Sequence, residues 1–182
     1  MANDCNYEMK IRGSKEAINR VIACLNADYN YMEGKPSHKH FFRVFSVYDD
    51  DDFEDNEDGT FTKYVYGYCA WSVWSCMMEG NNTYYNDVKR NHPDTFMGTS
   101  LKEQSQDCEI EVFSEEWGMC FSEHYYFKNG ECIDDSSCGI EMAGYTKTGK
   151  ISKRINWDTY EGDMVALNPN RENLTDGFKF SL

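Results

Sequence analysis

Residues 5–12 alternate without a break: Tyr7, Met9 and Ile11 point one way, and Asn6, Glu8, Lys10 and Arg12 the other. A period of two is that of a strand with one apolar and one polar face. Gly13 interrupts it, Ser14 stands where a helix cap belongs, and Ile18, Val21, Ile22 and Leu25 then recur at helical spacing, with Glu16 in the first turn. The spacing predicts a strand followed by a helix over Lys15–Asn26, the two sharing a core through their apolar faces. Later strands must extend that sheet.

Two aromatic, strand-like runs follow, at 40–48 and 61–71, beyond a loop over 27–39 marked by Gly34 and Pro36. In the second run Tyr64, Tyr66 and Tyr68 fall on one face, and Val65, Gly67, Cys69 and Trp71 on the other. Such a tyrosine stripe either stacks on bases or packs beneath a helix or adjoining segment. Packing is the expectation, because only Lys63 accompanies the stripe and phosphates need cations.

Between these runs lies the acidic segment 49–58, with eight carboxylates (Asp49, Asp50, Asp51, Asp52, Glu54, Asp55, Glu57 and Asp58) and no Lys or Arg. It accounts for eight of the fourteen net negative charges. Asp58-Gly59 is a turn-forming pair, so the segment reads as a hairpin tip. Like charges packed there repel and order poorly unless something basic meets them. The tip is either a solvated loop or a surface that competes for a site built to hold polyanions. Phe53 is the candidate anchor, since an apolar ring among carboxylates is hard to justify in a purely solvated loop.

Helices are predicted within 82–89 and 99–106, the latter capped by Thr99 or Ser100, and strands over 108–113 and 119–127. Asn129-Gly130 is the strongest hairpin signal, leading into Cys132-Ile133. Residues 139–182 hold six acids and six bases, so all the excess negative charge sits in residues 1–138. The expected organisation is an acidic domain over 1–138 and a neutral extension over 139–182. That extension would contain a hairpin across Thr148-Gly149 and a partly mobile end over 168–182.

At 182 residues, 40% hydrophobic and 15% aromatic, the chain is too rich in core-forming side chains to be disordered. No apolar run reaches about 20 residues and the start lacks a signal-peptide pattern, so a cytosolic protein is expected. The eight Cys show no CxxC and no finger spacing with His, and should act as small buried apolar residues rather than zinc ligands. An EF-hand reading of the tip fails at both ends of the loop, with Glu54 at its first position and Val65 at its last. Cys120 and His124 share a strand face, but four residues of strand separate them by about 13 Å. Phosphate-loop, HExxH and GxSxG patterns are absent from the sequence. No catalytic residue, cofactor or metal is therefore assigned. The one basic cluster, Lys150, Lys153 and Arg154, does not offset a net charge of -14, which opposes direct nucleic-acid binding.

The order strand, helix, strand, strand, helical insert, helix, strand, strand has a family likeness. The opening MANDCNYEMKIRGSKEAINRVIACL, the block AWSVWS and the stretch EIEVFSEEWGMCFSEHYYFKNGECI resemble the YubB ferredoxin-like (Api92-like) family of phage and plasmid proteins. The second Trp-Ser, the long acidic tip and the C-terminal tail depart from the family pattern. The resemblance implies an α+β fold, with a ferredoxin-like antiparallel sheet, helices on one face and a C-terminal extension. It also implies a mobile-element origin and no catalytic set. Small acidic phage proteins often block host defences, some by resembling nucleic acid in charge. The expectation is a non-enzymatic inhibitor of anti-CRISPR type in the bacterial host cytosol. Its acidic segment would dock on the basic nucleic-acid-binding surface of a host protein such as a CRISPR effector, without nucleic acid or membrane. The alternatives are a phage structural or replication-associated interaction module and a small metal-dependent enzyme.

Overall fold

The computed structural model describes residues 3–26, 39–49, 52–78, 83–94 and 96–167. In chain order the elements are β1 (Asp4–Gly13), α1 (Lys15–Asn26), β2 (Val44–Asp49), β3 (Glu54–Asp55), β4 (Phe61–Ala70), α2 (Val73–Met77), α3 (Thr83–Asn91), α4 (Leu101–Gln104), β5 (Cys108–Glu116), β6 (Phe121–Lys128) and β7 (Glu131–Gly139). After these come β8 (Glu141–Tyr145), β9 (Ile151–Ser152), a 3₁₀ turn (Trp157–Thr159) and β10 (Met164–Leu167). The expected terminal segment 168–182 lies outside the described residues.

β1 is the spine of the molecule. It pairs with β4 from Asp4↔Ala70 to Gly13↔Phe61, and on its other side with β5 from Asn6↔Glu115 to Gly13↔Cys108. β2 lies outside β4, β6 and β7 continue outward from β5, and the two residues of β3 pair with the start of β4. The result is a seven-stranded antiparallel sheet in an α+β fold. Seven strands exceed the four of a plain ferredoxin-like unit. A separate three-stranded sheet runs in the order β10-β8-β9.

The helices cover one face. Cys5, Tyr7, Met9 and Ile11 of β1 are buried against Ala17, Ile18, Val21 and Leu25 of α1, and the same core takes Val73, Cys76 and Met77 of α2 and Leu101 of α4. Each large side chain removed from water there contributes about 1.5–3 kcal/mol. The Ser14 hydroxyl accepts the Ala17 amide at 3.1 Å, the cap predicted at the start of α1. Arg20, on the outer side of α1, donates to Asp107 at 2.9 Å and to the Gln104 carbonyl at 3.0 Å, fastening the helix to the α4–β5 junction.

Some elements differ from expectation for local reasons. β2 begins at Val44 rather than at 40, because residues 40–43 turn inward. The Phe41 amide bonds the Cys24 carbonyl, the Phe42 amide bonds the Cys76 carbonyl, and Arg43 takes a left-handed φ of 53°. Phe42 then founds a small second core with Val88 and Phe96. The short helix α2 had no periodic signal. It is nucleated by the Ser72 hydroxyl, which accepts the Ser75 amide at 3.0 Å, and by Glu123 of β6, which accepts the Val73 amide at 2.9 Å. Glu123 also accepts the Ser114 hydroxyl at 3.0 Å and the Tyr125 hydroxyl at 3.1 Å. Burial pushes its carboxyl pKa up, and these donors pull it partway back. No helix among the described residues is long and apolar enough to cross a membrane.

Candidate protein-binding face

The later part of the acidic segment, residues 54–58, is folded onto the sheet. Asp49 closes β2, its side chain lying outside the described set together with Asp50 and Asp51. Glu54 and Asp55 then pair opposite Thr62 and Phe61. The turn that follows is closed by the Asn56 amide on the Thr60 carbonyl at 3.1 Å. Asp55 accepts the Glu57 amide and Asp58 the Thr60 amide, both at 2.9 Å, and Gly59 sits at φ 86°. The Thr60 hydroxyl and amide, with Arg12 adding a contact at 2.6 Å, hold the Asp58 carboxyl down at about 2. Asp58, the fifth position of an EF-hand loop begun at Glu54, instead accepts the Thr60 amide. Asp52, Glu54, Asp55, Glu57 and Asp58 all remain exposed.

Phe53, expected as an anchor for a partner, packs on its own protein. Its ring meets Phe61 edge-on at 6.3 Å, and Lys63 Nζ and Lys15 Nζ stand 4.6 Å and 5.3 Å from its centroid. The cations that touch Phe53 and Asp58 thus come from β1, β4 and the start of α1.

The second surface is the face of the sheet turned away from the helices. Tyr48, Tyr64, Tyr66 and Tyr68 are 49%, 42%, 53% and 42% exposed, and Tyr48 stacks on Tyr66 at 5.3 Å. Packing beneath a helix or an adjoining segment was the expectation for this stripe, but α1, α2 and α4 all cover the opposite face and the rings stay about half exposed. Gly67 makes the stripe possible. A Cβ there would lie 1.9 Å from the Ser46 carbonyl oxygen and 2.8 Å from the Tyr7 hydroxyl, which donates to that same carbonyl at 3.0 Å. Beside the stripe runs a groove of about 410 Å³, lined by Tyr64, Tyr66, Tyr68, Asn6, Glu8, Glu115 and Trp117. The Trp117 indole donates to Glu115 at 3.3 Å, which fixes the end wall.

Across β5, β6 and β7 the same face is different. Glu111 and Asp134 flank the buried His124 ring, at 2.6 Å from Nε2 and 3.1 Å from Nδ1. Lys128 pairs with Glu109 at 2.8 Å, and the Tyr126 hydroxyl bonds the same carboxylate at 3.0 Å. Cys120, which shares a predicted strand face with His124, sits instead in the turn before β6 with its thiol on the Trp117 carbonyl at 3.3 Å. Both ring nitrogens of His124 are thus taken up by carboxylates. Five of the eight cysteines (Cys5, Cys24, Cys69, Cys76 and Cys108) are buried, and burial pushes the Cys24 thiol up to about 11 and the Cys108 thiol up to about 12. No group of three or more His, Cys, Asp and Glu among the described residues is arranged to hold a metal ion.

No family model, no curated protein and no solved structure matches the chain. Function must be read from the two surfaces. One presents exposed carboxylates, the other aromatic rings beside a carboxylate, and both suit cationic groups better than phosphates. Glu8, Tyr48 and Trp117 escaped the sequence reading as site residues. Alternation does place Glu8 on the outer face, but its opposition to Tyr66 depends on the register of β1 against β4.

Proposed function

We propose that this protein is a non-enzymatic acidic binding module that docks on the basic, nucleic-acid-binding surface of another protein, in the manner of an anti-CRISPR-type inhibitor. The observation that carries the reading is the acidic turn over 54–58. Strand pairing fixes the backbone at Glu54 and Asp55, and turn hydrogen bonds hold the Asp55 and Asp58 carboxylates, so less conformational entropy remains to be lost when a basic surface meets them. Complementary charge of this kind speeds encounter and sets orientation. A ferredoxin-like ancestry of the YubB (Api92-like) kind is part of the proposal. It is supported by the order β2-β4-β1-β5, in which the first strand lies between the third and fourth long strands and the hairpin β6–β7 is added outside.

The test is competition between this protein and a fluorescent DNA for a purified guide-loaded CRISPR effector. Wild-type protein should displace the DNA at about 50 mM salt and lose most of that effect by about 300 mM, as screened charge requires. A variant with all eight acids of 49–58 changed to Asn or Gln, checked for native circular dichroism, should fail at both. Displacement that survives the substitutions unchanged sinks the proposal.

A further inference from the structure

The open-face groove holds a second, chemically distinct feature. Glu8 stands directly opposite Tyr66 in the β1–β4 register, where facing Cβ atoms are about 5 Å apart. Among the described residues its carboxylate has neither an ion pair nor a hydrogen-bond partner. One register step away the chain itself shows what such a position accepts, since Lys10 Nζ lies 5.2 Å from the centroid of Tyr64. A cation over Tyr66 would find an aromatic face beneath it and the Glu8 carboxylate beside it, with Tyr68 and Trp117 limiting its contact with water. That combination favours a planar guanidinium, which stacks on a ring while its edge pairs with a carboxylate, over a compact and strongly hydrated ammonium.

We infer that the groove between Glu8, Tyr66, Tyr68 and Trp117 is a subsite for an arginine side chain of the protein partner. The inference rests on the reading that the partner is a basic protein, and it assigns that partner's specific contact to a place outside the acidic segment. Glu8 lies four residues along β1 from Arg12, which anchors the acidic turn, so groove and turn are about 13 Å apart on the same strands. One basic surface can meet both. The acidic segment then supplies steering, which salt screens, and the groove supplies a partly desolvated contact that persists.

The test uses the full chain and hexa-arginine, with hexalysine and hexacitrulline as probes of charge type, followed by amide and indole NMR shifts at about 150 mM salt. Hexa-arginine is expected to shift the Glu8, Tyr66 and Tyr68 amides and the Trp117 indole saturably. Hexalysine should bind several-fold more weakly at those signals, and the uncharged hexacitrulline should leave them in place. Glu8→Gln and Tyr66→Ala should each weaken the groove response by about tenfold. A variant neutralised at Asp52, Glu54, Asp55, Glu57 and Asp58 should keep it. If the acidic segment responds and the groove is silent, the subsite is wrong while the basic-partner reading stands. If neither responds, the basic-partner reading falls and takes the subsite with it. Equal shifts with hexacitrulline would overturn the cation assignment. Concentration-dependent shifts of the same signals without peptide would make the occupant a second copy of this chain.

Discussion

The two halves of the open sheet face are built on the same strands and treat charge in opposite ways. On the β2–β4–β1 side the side chains are rings, about half exposed, with the carboxylate of Glu8 among them, which has no partner among the described residues. On the β5–β6–β7 side the carboxylates take partners in two groups, Glu111 and Asp134 on His124 and Glu109 on Lys128 and Tyr126, and Glu111 is 1% exposed. A buried charge is tolerable only when held by partners, and losing one partner leaves the other stranded. The ladder half is therefore committed to holding strands together, while the tyrosine half keeps its contacts available to another molecule. β1 lies between them: its Glu8 and Lys10 face Tyr66 and Tyr64 on one side, and Lys10 stands opposite Glu111 on the other.

The comparison breaks most visibly at His124. His124→Ala leaves Glu111 buried beside a cavity and should lower unfolding free energy by about 3–5 kcal/mol in urea denaturation. Replacing both members, His124→Leu with Glu111→Leu, should recover most of that loss, because no stranded charge remains. A loss below about 1 kcal/mol in the single variant would show that the ladder does not carry the outer strands.

On the tyrosine half the same measurement should give a small answer. Tyr66→Ala removes an exposed ring and its stack on Tyr48, an effect of about 0.5–1.5 kcal/mol. Most of it should appear as coupling in a double-mutant cycle with Tyr48→Ala. A cost approaching that of His124→Ala would mean the stripe is part of the stability core and would weaken its standing as a contact surface.

The contrast between the halves was only partly legible in the sequence. Strand β1, helix α1 and the Asn129-Gly130 hairpin were readable because each is a local pattern: alternation, helical spacing with a serine cap, and two residues that accept positive φ. The tyrosine stripe was readable as a face, but not as an uncovered one, since which face the helices take is decided by the whole sheet. The acidic segment was readable as charge and not as structure. Over 54–58 its order comes from pairing with β4 and from turn hydrogen bonds, with Arg12 on Asp58 and Lys15 and Lys63 on Phe53, partners that meet only once β1, α1 and β4 are assembled. The Glu111, His124 and Asp134 ladder joins three strands through register, and β7 was longer than its polar sequence implied. Tyr126↔Asp134 already lies at a register shift in the β6–β7 pair, which no spacing rule within one strand reveals.

Where the halves meet, Arg12 lies between Thr62 on one side and Glu109 on the other, and its reach to Asp58 ties the acidic turn to the sheet. Asp58 gives the smallest expected effect and the sharpest sign. Its folded pKa of about 2 is below its ordinary value of 3.8, so its contribution to stability is present above that ordinary value and disappears as pH falls through about 2. The difference in melting temperature between wild type and Asp58→Asn should be constant near pH 6, shrink below about pH 4 and vanish near pH 2. The leading cause of the shift is the Thr60 hydroxyl and amide, with Arg12 behind them. Thr60→Val should therefore flatten this pH dependence more than Arg12→Gln does, and added salt should change it little, because a hydrogen bond is screened less than an exposed ion pair. The reverse order, with strong salt sensitivity, would assign the turn to its ion pair and make the acidic segment far more dependent on β1 than its own hydrogen bonds imply.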